Sequence, residues 1–222
     1  MGKKYLMDEK DSQKYISVNF LNRLPYYLKH LTTLEGKGVE FINARELALD
    51  LGYSAEQVKK DLQIVCKGKG KPKIGRSIKE LISDINDFLG YNNTTDAIIV
   101  GIGHLGTAFL NYPGFNDLGL NIVAGFDIDP TLFGRLINGK IIYNMSRLEN
   151  VVRQTKVRIA ILTTPSSASN EVAKKLVKCG IKAIWNFSPM VLDVPEDIIV
   201  ENVNLASSLA VLSHKLNKIL KE

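Results

Sequence analysis

The stretch Ile98-Ile99-Val100-Gly101-Ile102-Gly103-His104-Leu105-Gly106 decides the fold of the second half of this chain. Ala97 to Val100 is an apolar run that reads as a buried strand. Glycines follow in the spacing Gly-x-Gly-x-x-Gly, and Thr107-Ala108-Phe109-Leu110 reads as the first turn of a helix. Each glycine has its own task. Gly101 makes the tight turn, Gly103 lets a pyrophosphate approach the backbone, and Gly106 lets helix and strand pack closely. The N–H groups and dipole of the helix start then hold the anion. A second apolar run, Ile122-Val123-Ala124-Gly125-Phe126, ends in Asp127. It lies about 20 residues past the last glycine, where a carboxylate takes the adenosine ribose hydroxyls. The candidate dinucleotide contacts at this end are Gly101, Ile102, Gly103, His104, Leu105, Gly106, Asp127 and Ile128. The His104 ring either meets a phosphate or faces solvent.

The alternation continues after Asp127. Asp129-Pro130 starts a turn and a short helix, and Ile141-Ile142-Tyr143 reads as a strand. Leu148 to Gln154 reads as a helix, Val157 to Leu162 as a strand, Ser166 to Cys179 as a helix and Ile181 to Trp185 as a strand. This βα repetition predicts a doubly wound parallel sheet. Ligands in such sheets sit beyond the carboxyl ends of the strands. Thr163, Thr164 and Pro165, and Asn186, Phe187, Ser188 and Pro189, fall at such ends and complete the candidate pocket.

The chain has 222 residues, 45% of them hydrophobic, which is enough for a real core in two small domains or one large one. No apolar run is long enough for a membrane span and no signal core follows the basic start, so the expectation is a cytoplasmic protein. Cys66 and Cys179 are too few for a disulfide framework or a zinc site, and no metal site is expected. The net charge of +6 is concentrated: Lys59 to Lys79 holds eight basic residues against one acid, Asp61. A cluster this dense points to a polyanionic partner, with a solvated basic face as the alternative.

The N-terminal sequence gives that cluster a scaffold. Residues 14–35 place Ile16, Phe20, Leu21, Leu24, Leu28 and Leu31 near helical spacing, with Pro25 as a kink or a break. Asn43 with Glu46, and Ser54 with Gln57, repeat a helix-capping signature around Gly52. Two short helices so joined read as a helix-turn-helix. On the second helix Val58, Leu62, Val65 and Cys66 turn inward, while Lys60, Gln63 and Lys67 face out with Lys59 at their flank. Such donors suit phosphates and base edges. Residues 67–76 read as a β-hairpin wing whose Lys71, Lys73 and Arg76 reach a DNA backbone or minor groove. Arg45 and Ser54 complete the candidate DNA contacts. Ile78 to Leu89 makes one more amphipathic helix, and the polar run from Gly90 to Thr95 marks the domain boundary.

The expected organisation is thus a winged helix-turn-helix domain over residues 1–90, a Rossmann-like domain over 91–202, and a terminal helix over 203–222. On that helix Leu205, Leu209, Leu212, Leu216 and Ile219 form a narrow apolar seam. Spacing alone leaves open whether it closes its own domain or docks on a second chain. There is no nucleophile with a base and no paired carboxylates, so no catalytic residue is assigned. A dinucleotide site without chemistry suggests a sensor.

Taken together, Val58-Lys59-Lys60-Asp61-Leu62, Val100 to Gly106, Asn111-Tyr112-Pro113-Gly114-Phe115, Phe126-Asp127-Ile128-Asp129-Pro130 and Asn186-Phe187-Ser188-Pro189 resemble the Rex family of redox-sensing transcriptional repressors. The resemblance runs from about residue 15 to the C-terminus. It implies a homodimer with a swapped C-terminal helix, NAD(H) in the Rossmann domain, and an inverted-repeat operator in double-stranded DNA that is released as NADH rises. It also implies that Tyr112 lies near the nicotinamide, with Arg23 as a candidate partner. Two departures stand out. Lys59-Lys60 replaces an Arg-Lys pair, removing bidentate guanine contacts. Asn204-Leu205 stands where the family often has Asp-Phe, which removes a charge and a ring and implies weaker discrimination between NADH and NAD+. The rival reading is an enzyme, either a small NAD-dependent dehydrogenase or a CoA-binding ligase subunit with an added helical domain.

Overall fold

The computed structural model describes residues 4–5, 16–68, 70–71 and 74–220. The chain divides into two compact units, Met1–Asn92 and Asn93–Glu222, so the boundary lies within the polar run expected to hold it.

In the first unit, β1 (Lys4–Tyr5) pairs antiparallel with β2 (Ile16–Ser17), which leads into α1 (Val18–Gly36). Pro25 does not split α1, which runs for 19 residues. After β3 (Phe41–Ile42) come α2 (Ala44–Leu51) and α3 (Ala55–Val65). Asn43 and Glu46 form the full reciprocal capping box on α2, and Gly52 ends it in the left-handed region at φ +70°. Ser54 caps α3 by accepting from the Gln57 amide at 3.2 Å. β4 (Arg76–Ser77) and α4 (Ile78–Leu89) complete the unit. Phe20, Leu24, Tyr27 and Leu31 of α1 share one core with Leu47, Val58, Leu62, Ile78, Leu81 and Ile85. Each helix contributes the apolar stripe that its periodicity predicts.

The wing differs from the simple hairpin expected. β4 pairs with β3, a strand that precedes the helix-turn-helix, and the turn before it closes by a bridge between Lys71 and Gly75. Gly75 has φ +101°, and a Cβ there would lie 2.4 Å from the Ile42 carbonyl oxygen. The wing is therefore pinned to β3 at a position that only glycine can fill. Lys73 lies outside the described residues.

The second unit is built on a seven-stranded sheet in the order β11-β10-β9-β5-β6-β8-β7. Its strands are β5 (Thr95–Val100), β6 (Leu120–Asp127), β7 (Leu136–Ile137), β8 (Lys140–Asn144), β9 (Ile159–Leu162), β10 (Ala183–Asn186) and β11 (Ile199–Asn202). The helices are α5 (His104–Asn111), the single turn α6 (Gly114–Asp117), α7 (Leu148–Thr155), α8 (Ser166–Lys178) and α9 (Leu205–Ile219). Pairing is parallel except at the β7–β8 edge hairpin. Alternate residues of the central strands enter different cores: Ile98, Val100, Ala160 and Leu162 one, Ile99 and Ile161 the other. Burial on both faces explains why these strands read as unbroken apolar runs. Chain order reverses between β5 and β9, which places the topological switch point at the carboxyl end of β5.

Candidate dinucleotide site and nucleic-acid interface

The glycine loop sits at that switch point, and its three glycines meet three different surroundings. At Gly101, with φ +95°, a Cβ would lie 2.9 Å from the Thr163 carbonyl. At Gly106 it would lie 2.0 Å from the Gly101 carbonyl oxygen, so any side chain there would force loop and helix apart. At Gly103 a Cβ would meet nothing within 4 Å and would project into open space. That is the cradle a pyrophosphate needs: backbone crowded behind and room in front. Gly103 caps α5 without any side-chain hydrogen bond, so the first amides of the helix face the cradle unclaimed by a side chain.

Asp127 ends β6 beside the loop. One carboxylate oxygen accepts from the Ile102 amide, and the other accepts from the Ile128 and Asp129 amides at 2.7 and 2.9 Å. The carboxylate thus fixes the loop backbone and stays partly open to solvent. Ile128 beyond it is 81% exposed, and His104 and Leu105 are also exposed. Ile102 is instead buried and packs with Ile99 and Ile142.

The residues expected at the other half of the ligand divide into braces and surface. The Thr163 hydroxyl donates to the Gly101 carbonyl at 2.6 Å and clamps the loop to β9. The Thr164 hydroxyl meets Ser169 at 3.0 Å, and Pro165 is exposed at the start of α8. Asn186 is fully buried. Its amide nitrogen donates to Met190 O and Asn202 Oδ1, and its oxygen accepts from the Ser188 amide. The Ser188 hydroxyl is the buried side-chain polar atom without a partner among the described residues. Phe187, Ser188 and Pro189 line a cavity of about 450 Å³ with Met190, Asn202 and Asn204. Phe187 also joins an aromatic cluster, 4.7 Å from Phe109 and 4.8 Å from Trp185 between ring centres. Phe109 and Trp185 lie nearly parallel, 6.3 Å apart. Tyr112 is 54% exposed, and its ring lies where a Cβ on Gly114 would be.

In the first unit, α3 turns Lys59, Lys60 and Gln63 to solvent, as its periodicity predicts. Its inner face holds a residue that the charge pattern hid. Asp61, 2% exposed, accepts from Arg23 Nε at 2.7 Å and Nη2 at 2.9 Å, from the Tyr27 hydroxyl at 2.8 Å and from Gln57 Nε2 at 2.8 Å. Asp61 holds the Arg23 guanidinium charged beyond its ordinary range, and burial followed by Asp61 pushes the Tyr27 phenol upward. The signal was present in the sequence, since Asp61 falls among Val58, Leu62 and Val65 at helical spacing. Its partners, 34 and 38 residues away on α1, were not legible.

The remaining candidate DNA contacts are placed unevenly. Arg45 and Ser54 are exposed at the starts of α2 and α3. Lys71 is exposed and its ammonium lies 5.4 Å from the centre of the Phe41 ring. Arg76 donates to the Gly68 carbonyl, which ties the wing to the segment that follows α3. Lys67 is bound to α4, its ammonium 2.6 Å from Asp87 and its amide on Asp84. Cys66 between them is half-buried, and burial pushes its thiol up to about 11, so it stays protonated and unreactive near neutral pH.

Comparison with known proteins joins the two units. A family model described as a putative DNA-binding protein N-terminus matches residues 15–63, and one described as a CoA binding domain matches residues 92–190. Across nearly the whole chain the similarity is to proteins named redox-sensing transcriptional repressor Rex. One from Clostridium botulinum is 39% identical, covering 94% of this chain and 99% of its own. One from Thermoanaerobacter sp. (strain X514) is 38% identical, covering 91% and 90%. One from Bacteroides fragilis is 36% identical, covering 95% of each. Among solved structures, RSP in complex with beta-NAD+ and operator DNA superposes with a TM-score of 0.86 at 37% identity, covering 93% of this chain and 94% of that one. RSP in complex with beta-NADH gives 0.83 at 37% identity, covering 93% and 96%.

Proposed function

The chain belongs to the Rex family of redox-sensing transcriptional repressors, and from that premise we propose how it works. It is a DNA-binding repressor that senses the NADH/NAD+ ratio. It binds an inverted-repeat operator as a homodimer and leaves it when NADH occupies the second unit. One observation carries this reading: the same chain presents an exposed basic recognition face, Lys59-Lys60-Gln63, and a glycine cradle closed by a strand-end carboxylate.

The residues fit the dinucleotide. The α5 amides past Gly103 would hold the pyrophosphate, and Asp127 the adenosine ribose. Thr163 and Asn186 act as braces that fix the loop and the β10 end, while the Ser188 hydroxyl and Phe187 offer contacts toward the nicotinamide half. The bound dinucleotide supplies its redox state as the signal. Sensor rather than enzyme is favoured because the relatives are named repressors. The place of work is the cytoplasm, where duplex DNA and NADH meet; among the described residues no helix is long and apolar enough to cross a membrane.

The homodimer follows from α9. Leu209, Leu212, Leu216 and Ile219 are each more than half exposed, so the seam does not close its own unit. A second copy of the chain covers it. Lys59, Lys60 and Gln63 of both copies enter successive major grooves, and ligand that favours another dimer geometry opposes the operator by linkage. Coupling of about 1–3 kcal/mol changes operator affinity about 5–150-fold. Operator titration with NADH, with NAD+ and with neither tests this. NADH alone weakens binding if the reading holds, and equal affinities in all three arms remove it.

A further inference from the structure

One exposed residue of the proposed recognition helix, Glu56, carries a charge opposite to its neighbours. On α3 the exposed positions are Glu56, Lys59, Lys60 and Gln63. At about 100° per residue, Glu56, Lys60 and Gln63 share a sector only about 60° wide. Val58, Asp61, Leu62 and Val65 lie opposite and are buried. Glu56 is therefore at the centre of the outward stripe, in the first turn of the helix. Among the described residues no hydrogen bond or ion pair engages its carboxylate. Ser54 already caps the helix, so Glu56 is not needed for that.

A lone carboxylate is out of place on a surface that meets phosphates, because it adds repulsion without a compensating partner. It fits if it lands on a donor. The first residues of a recognition helix are those that reach base edges. In the major groove the base donors are the exocyclic amines of cytosine and adenine. Beside the adenine amine lies the N7 acceptor, which repels a carboxylate and suits an amide instead. Cytosine presents the amine alone. We infer that Glu56 reads a cytosine amine at one position in each operator half-site and so helps to set which operator this chain selects. The inference rests on the operator-binding reading given above.

Selection of the full-length protein, without NADH, from a randomised duplex library tests it. Wild type selects one cytosine per half-site with discrimination of about tenfold over other bases, within the range of a single good base contact. Glu56→Ala flattens that position and leaves the others intact, and Glu56→Gln moves the preference there toward adenine. Both variants melt within a few degrees of wild type, since an exposed first-turn acid adds only a little to its helix. If Glu56→Ala returns the wild-type profile at every position, Glu56 is only a first-turn acid and the inference is overturned. If wild type enriches no sequence at all, the operator reading fails first and takes this one with it.

Discussion

Asp61 and Asp127 are the same side chain in opposite settings. Asp61 is buried, and its four donors come from side chains on α1 and α3. Asp127 is half-open at a strand end, and its donors are three backbone amides, one from the glycine loop (Ile102) and two from the turn that follows Asp127 (Ile128 and Asp129). The first carboxylate has its acceptor sites filled by the fold and faces no approaching molecule. The second holds a loop in shape and still faces outward. A buried charge saturated by side chains orients a helix, whereas an accessible charge on backbone amides shapes a ligand site.

The sharpest way to break this contrast is to remove each carboxylate. Asp61→Ala leaves the Arg23 guanidinium, at 16% exposure, without its counter-charge. Losing one partner of a buried pair costs about 3–5 kcal/mol. Chemical denaturation therefore shows the first unit melting early and operator binding lost, while NADH titration of the second unit stays near wild type. Unchanged stability would make Asp61 a surface charge in effect. Asp127→Ala acts the other way. Charged hydrogen bonds to the ribose are worth about 1.5–3 kcal/mol, so NADH affinity falls roughly 10- to 150-fold by calorimetry. Ligand-free operator binding persists. An undiminished NADH affinity would remove Asp127 from the site. Tyr27→Phe probes a single donor of the Asp61 set and costs about 1 kcal/mol of unfolding free energy by chemical denaturation. A larger loss would mean that the four bonds act as one unit.

The sequence carried the local half of this contrast and hid the long-range half. Caps at Asn43 and Ser54 and the turn of the glycine loop are encoded within a few residues, and Asp127 by a spacing of about 20 residues from that loop; the structure places them at the helix starts, the strand-to-helix turn and the strand end expected. The Asp61 network is not, because pairing across α1 depends on packing that no short window contains. β7 was missed although its signal was short-range. Asn138-Gly139, with φ +47° and +75°, is a two-residue turn between Leu136-Ile137 and Lys140-Ile141. β11 was missed for a different reason: Ile199-Val200-Glu201-Asn202 is a polar-ended edge strand that only its neighbour β10 defines. The wing was read as a self-contained hairpin because its true partner strand lies before two helices.

Trp185 is the one tryptophan of the chain, and it lies in the second unit against Phe109 and Phe187. Its emission is therefore a natural optical tag for half of the molecule. Indole fluorescence follows the fate of the nucleotide-binding unit and is blind to the other, while circular dichroism records the helices of both. Any difference between the two melting curves separates the two units without labels, dissection or mutation.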